Sequence, residues 1–215
     1  FRVKISDREA NNYGNEVTHK KNPRKKISNN KDLFVTDWGQ GMFKYNACDF
    51  CDDVLAETAD VTLGDAWLPK YKTDSQGTNI IIIRNAKINS LFNNYKQELF
   101  LDPLNSNQIF QSQVGGFRHR RMGLAYRLFK KDEEGVWRPD KRVRPSNKMH
   151  RKFKNIFDMR SKITIESFKF YREAMESNKE FDYFKIKMEP TIKEYTETIN
   201  SPRVEDNMID YSIDT

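Results

Sequence analysis

The 215-residue chain reads as an α/β protein: a central mixed sheet flanked by helices, with a helical C-terminal extension. Three observations predict this. Ile80 to Ile83 is an unbroken apolar run, typical of a strand buried on both faces with helices above and below. Short apolar or alternating stretches, separated by Gly and Asn turn signals, fill the first 84 residues. From residue 86 onward, apolar positions recur at helical spacing.

In chain order, Phe1 to Ser6 alternates apolar and polar residues like an edge strand. Residues 7–30 are polar and carry Asn11-Asn12-Tyr13-Gly14-Asn15 and Asn22-Pro23 as turn signals, which predict a loop or loose hairpin. Asp32 to Trp38 reads as a strand closed by Gly39-Gln40-Gly41, Asp53 to Thr58 as one helical turn, and Asp60 to Trp67 as a second strand. Ala86 to Leu99 carries a helical stripe. Asn105 to Val114 begins on an Asn-Ser-Asn cap, with Gly115-Gly116 as its stop. Phe117 to Lys131 is a basic helix, Glu134-Gly135 and 139–145 form a linker, and Lys148 to Lys185 holds one or two further helices. The expected domains are 1–135 (α/β), 136–200 (helical extension) and 201–215 (acidic tail).

Composition narrows the function. With 37% hydrophobic, 13% aromatic and 32% charged residues, the chain can build a core; collagen-like and elastic low-complexity classes are excluded, and the composition argues against disorder over most of the length. No apolar run approaches the ~20 residues of a membrane-spanning helix. Phe1-Arg2-Val3-Lys4 is neither a signal peptide nor a natural start, so an upstream part is expected to be missing, and a reducing cytoplasm is the expected location. The net charge of +7 is concentrated in 117–160, where Arg118, Arg120, Arg121 and Arg127 are candidates for docking an anion or acidic partner. A solvated basic face is the competing account. Nucleic acid is not favoured, because Phe117, Tyr126 and Phe129 fall on apolar helical positions rather than interleaving with the charges.

Both cysteines lie in Cys48-Asp49-Phe50-Cys51, a spacing that presents two thiolates from one loop. Zinc needs two more ligands, and His19, His119 and His150 are scattered. A redox dithiol needs nearby cations, yet Asp49, Asp52, Asp53, Glu57 and Asp60 crowd the pair. These acids would also lower the potential of a bound cluster. Two ordinary buried cysteines, or half of an iron–sulfur ligand set, remain open.

The stretch Cys48 to Pro69 (CDFCDDVLAETADVTLGDAWLP) resembles the signature of the coenzyme F-420 hydrogenase/dehydrogenase beta-subunit family, in its C-terminal domain. Asp74 to Arg84 (DSQGTNIIIIR) is similar to that family's Gly turn, apolar strand and Arg, with Asn79 in place of the usual Ser. Ser112 to Leu128 (SQVGGFRHRRMGLAYRL) resembles its basic helix. The likeness is best over 45–130.

The resemblance implies an iron–sulfur flavoprotein passing electrons between a 4Fe–4S cluster, FAD and a hydride carrier such as coenzyme F-420. Cys48 and Cys51 would supply two cluster ligands, and the N-terminal part of the same protein the rest, beside a possible electron-transfer partner. The residues fit a cofactor-facing strand end. Gly64 weakens its strand, as at a bulge or a ligand's approach. Asp65 can accept from an imide N–H, and Trp67 can wall a ring. Gly77, Thr78 and Asn79 can offer turn amides, and Arg84 can pair with a phosphate or with Asp60. An ordinary turn, or core packing for Trp67, accounts for the same residues. A non-catalytic interaction domain is the alternative function.

Overall fold

The structure, a computed structural model, describes residues 2–4, 13–19, 22–29, 33–34, 38–74 and 76–202. Most of the expected Asp32–Trp38 strand and residues 203–215 of the expected acidic tail lie outside the described residues. The chain forms two compact units: Phe1–Thr36 with Asp53–Phe117, and Asp37–Asp52 with Arg118–Thr215.

The first unit holds all the described strands. β1 (Arg2–Lys4), β2 (Tyr13–His19) and β3 (Asn22–Asn29) form an antiparallel meander with β1 at one edge. β3, at the other edge, tolerates Pro23, which has no ladder N–H to give. β4 (Val61–Asp65) and β5 (Asn79–Ile83) form a separate antiparallel pair in continuous register, from Val61 opposite Ile83 to Asp65 opposite Asn79. The mixture of strands and helices and the helical C-terminal part are as expected. The strands are divided between two antiparallel sheets, however, rather than gathered in one central mixed sheet. Accordingly, β5 is not sandwiched: Ile80 is 6% exposed, and Ile81 to Ile83 are only half-buried.

Caps place the helices that follow. Asn85 accepts from the amides of Lys87 and Ile88 to start α1 (Ala86–Asn94). Asn105 and Gln108 form a reciprocal capping box for α2 (Ser106–Ser112), both bonds at 2.9 Å. Gly115-Gly116 does not stop the run, because neither glycine adopts the left-handed conformation that ends helices. A short α3 (Val114–Phe117) follows instead. A Cβ on Gly116 would sit 3.0 Å from Val54 Cγ1, so this glycine serves close approach. Asp53–Thr58 makes turns rather than a helical turn, with the Asp53 carboxylate accepting from the amides of Leu55 and Glu57.

The second unit is helical. A π-helical turn, Arg118–Met122, leads into α4 (Gly123–Glu133). Gly135, at φ +64°, ends α4: its amide bonds Asp132 O, and Val136 N bonds Lys131 O, both orphan carbonyls of the last turn. α5 (Arg151–Glu176) and α6 (Phe181–Asn200) are joined by four residues, with Asn178 at φ +48° closing α5 in the same way. Arg160 pairs with Tyr195, Lys162 with Glu194, Glu166 with Thr191 and Glu173 with Tyr183. One partner's number falls as the other's rises, so the helices run antiparallel. Phe184, Met188, Thr191 and Tyr195 are the buried stripe of α6, facing α5 residues that include Ile163 and Ser167. Pro190 removes one N–H on the exposed side, and the helix continues past it to Asn200.

Candidate functional site: the cysteine loop and the β4–β5 end

Cys48 and Cys51 sit on and just after a 3-10 turn, Asn46–Phe50, in the helical unit. Cys48 is exposed and Cys51 half-buried, and neither forms a disulfide. The turn is closed by Cys48 N donating to Tyr45 O at 2.9 Å and Cys51 N to Cys48 O at 3.4 Å.

Two arginines of the basic segment hold this loop by its backbone. Arg127, 8% exposed, donates to the Asp49 carbonyl through Nε at 3.0 Å and Nη2 at 2.9 Å. Arg121 Nε donates to the Asp52 carbonyl at 2.7 Å. Gly123 makes room: a Cβ there would lie 2.8 Å from Phe157 Cε1 and 3.0 Å from Arg127 Nη1. The loop's acids are also paired. Asp49 meets Lys44 and Arg127, and Asp52 meets Lys141 at 3.2 Å and Arg142 at 2.6 Å. Burial works against the charged Asp52, but the hydrogen bonds from Arg142 and then Lys141 hold its carboxyl below the usual range. The expectation that these acids impose uncompensated negative charge on the cysteines therefore fails for Asp49 and Asp52. Each carries two cationic partners that lie far away in sequence or follow no motif.

Of the remaining candidates in this unit, Arg118 stacks on Phe153 at 5.1 Å and Arg120 is exposed. A cleft of about 450 Å³ borders the loop, lined by Lys44, Asp49, Arg127, Lys130, Phe157 and Phe168 among others. Lys130 and Tyr126 both bond Asp158, and burial, followed by Asp158, pushes Tyr126 up to about 12. Among the described residues, no three His, Cys, Asp or Glu side chains form a metal-holding group. Cys48 and Cys51 thus stand as a two-donor set.

His119 is enclosed beside this clamp. Arg160 Nη1 lies 3.1 Å from His119 Nδ1; the guanidinium can only donate, so Nδ1 accepts and the ring proton sits on Nε2. Burial, then Arg127 and Arg160, lower its pKa from 6.5 to about 3. Because the folded value lies below the unfolded one, the unfolded chain takes up the proton first. This group's stabilisation is full above pH 6.5 and is lost as pH falls toward about 3. The expected slope is at most about 1.4 kcal/mol per pH unit. Urea midpoints at about pH 7.5 and about pH 5 should converge in His119→Asn, which keeps an acceptor but no titrating ring. Equal slopes in both proteins would refute the assignment.

The other candidates lie in the first unit, around the end of β4. Among the described residues, no atom beyond its chain neighbours lies within 4 Å of where a Gly64 Cβ would be, and the ladder there is regular, so within them Gly64 marks neither a bulge nor a close backbone approach. Asp65 is exposed; its carbonyl accepts from Gln113 Nε2 at 2.7 Å and Ser112 Oγ at 3.3 Å. Trp67 is 39% exposed rather than packed in the core, with its amide donating to Ser112 Oγ. Gly77, at φ +84°, donates its amide to Asp74 O, and Thr78 Oγ1 donates to Asp74 Oδ2 at 2.8 Å. Arg84 spans the carbonyls of Leu55 and Ala59 and the hydroxyl of Thr62, all near 3.0 Å. Asp60 is tied to Asn85 Nδ2 and to the Arg84 amide instead of the Arg84 guanidinium.

Thr78 and Asn79 line a cleft of about 590 Å³ with Tyr71, Ile80, Lys96 and Phe100 among others; Gly64, Asp65, Trp67, Gly77 and Arg84 do not line it. At its rim, Asp102 accepts from both Lys70 and Tyr71, which holds its carboxyl low and Tyr71 high. Sequence reading missed this group, because Asp102 lies some thirty residues beyond its partners and in no motif.

Residues 2–106 match the family model for the C terminus of the coenzyme F-420 hydrogenase/dehydrogenase beta subunit. Over that segment the chain is similar to this family. The match includes the cysteine unit, the Gly64-Asp65 strand and the turn before β5. It also takes in residues 2–44, where the resemblance is weak, and it ends within α2. The basic helix of the beta-subunit resemblance, 112–128, lies beyond it. No curated protein and no solved structure matches the chain. Among the described residues, no helix is long and apolar enough to cross a membrane.

Proposed function

We propose that this beta-subunit-like chain is the C-terminal part of an iron–sulfur flavoprotein oxidoreductase. It would pass electrons between a 4Fe–4S cluster, FAD and a hydride carrier such as coenzyme F-420. The observation that carries the reading is the accessible cysteine loop, whose backbone is held by two arginines and whose acids are neutralised. Thiolates are the donor chemistry such a cluster takes. Two of them make half a ligand set, completed by cysteines of the N-terminal part of the same protein.

When bound, the cluster and FAD supply single-electron and hydride exchange. This chain's residues bind and orient. Cys48 and Cys51 hold iron. The exposed Asp65 would accept from a flavin's ring imide and the exposed Trp67 would wall the ring, while Asn79 and Thr78 present polar groups at the neighbouring cleft. Arg84, Gly77 and the Thr78 hydroxyl shape the loops around them. Arg118 and Arg120 offer positive charge to an acidic electron-transfer partner.

The full-length protein, purified without oxygen and reconstituted with iron and sulfide, is expected to show a broad visible iron–sulfur band. It is also expected to contain bound flavin and stoichiometric iron. A colourless, iron-free product would overturn the reading and favour a non-catalytic interaction domain.

A further inference from the structure

We infer that Arg121 and Arg127 are positioning residues for the two-cysteine loop: they hold the carbonyls that follow Cys48 and Cys51, and so fix the spacing at which the thiolates meet iron. This rests on the reading of Cys48 and Cys51 as cluster ligands.

The geometry is selective. The Asp49 carbonyl, one residue past Cys48, receives two N–H groups of Arg127, and the Asp52 carbonyl, one past Cys51, receives Arg121 Nε. A merely solvated basic face would not place two guanidinium groups, six residues apart, on these equivalent carbonyls. Arg127 is also buried, where an arginine persists only when its donors are satisfied. It has a third contact, Nη1 to the His119 carbonyl at 3.4 Å. The missing Cβ of Gly123 leaves its path open. Lysine cannot replace this planar fork, since a point charge does not fix a carbonyl in two directions.

The clamp also has an electrical consequence. Arg121, Arg127, Lys44, Lys141 and Arg142 all contact the stretch Asp49–Asp52. Nearby positive charge favours the reduced, more negative form of a thiolate-bound cluster, since net charge and hydrogen bonding are levers on its potential. The loop thus raises the potential, where its acidic sequence pointed to lowering it.

The test uses full-length protein carrying Arg127→Lys, Arg121→Lys or Arg121→Gln, with folding checked by circular dichroism and thermal transition. Hydrogen bonds one step removed from metal ligands typically carry 10–100-fold in affinity. The rate at which an iron chelator strips iron is therefore expected to rise about tenfold in both Lys variants, with a changed paramagnetic resonance spectrum of the reduced cluster. Arg121→Gln is expected in addition to shift the midpoint potential downward. Should Arg127→Lys not fold, Arg121→Lys carries the test, because Arg121 is only half-buried. Unchanged stripping rates and spectra in the folded Arg121 variants would overturn the inference, provided Cys48→Ser and Cys51→Ser do lose iron. Full iron retention in those cysteine variants would instead remove the ligand reading, and this inference with it.

Discussion

In the full-length protein, Cys48→Ser and Cys51→Ser are each expected to abolish the visible iron–sulfur band and to cut iron per chain to a small fraction of wild type. The thermal transition of the apo-protein should barely move. Cys48 is exposed and Cys51 half-buried, so a change from sulfur to oxygen removes little packing. The loop's shape depends instead on Arg121, Arg127 and the Asp52 ion pairs, which neither variant touches. Serine keeps the volume but lacks a thiolate, the donor iron–sulfur clusters require. A substantial drop in apo-protein stability would make these residues structural. Retained iron would exclude them as ligands.

Phe184→Ala is expected to destabilise the helical unit by about 3–5 kcal/mol, the usual cost of emptying a large aromatic site. Phe184 is 1% exposed and lies at the centre of an aromatic group. Its ring stacks on Phe43 and Phe181, each at 5.5 Å, and meets Tyr171 edge-on at 6.0 Å. Phe43 brings a consequence beyond the helices. It adopts a left-handed φ of +55°, unusual for a bulky residue, and its amide is pinned by Ser167 Oγ at 2.9 Å. Removing the Phe184 ring takes away the surface on which Phe43 sits, one residue before Lys44 and its pair with Asp49. Urea unfolding followed by far-ultraviolet dichroism would measure the loss, and a cost below about 1 kcal/mol would mean the site collapses without a cavity.

Several features written in neighbouring residues are the same in the sequence reading and the structure, although the helical turn expected at Asp53–Thr58 does not form. Asn105 caps α2 through a side chain three residues from its partner, and Gly135 ends α4 through its own backbone freedom. The alternation of 2–4 and the run 79–83 are strands, because side-chain shape and period act locally. The other misreadings concern what surrounds an element. The isoleucine run suits a strand buried on both faces, but β5 has β4 as its only described sheet neighbour and is half-buried. Gly115-Gly116 has the composition of a helix stop, yet it is helical, and Gly116 answers to a contact with Val54 sixty residues earlier. The arginines were legible as a basic stretch, but their assignments were not. Arg127 and Arg121 bond backbone carbonyls, groups every residue carries and no motif can flag.

By itself, then, the sequence determined the α/β mixture with its helical C-terminal part, the family resemblance of the cysteine unit and the strands after it, and the presence of a two-thiol loop. These follow from period, capping chemistry and residue spacing, which act over a few positions. Only the tertiary structure decided the electrostatic character of that loop. Lys141 and Arg142 reach Asp52 across about ninety residues, and Arg127 reaches Asp49 across 78. Charge summed along the chain made the loop acidic; in the fold Asp49 and Asp52 each meet two cations, because a Coulomb interaction depends on distance through the fold and not on separation in sequence.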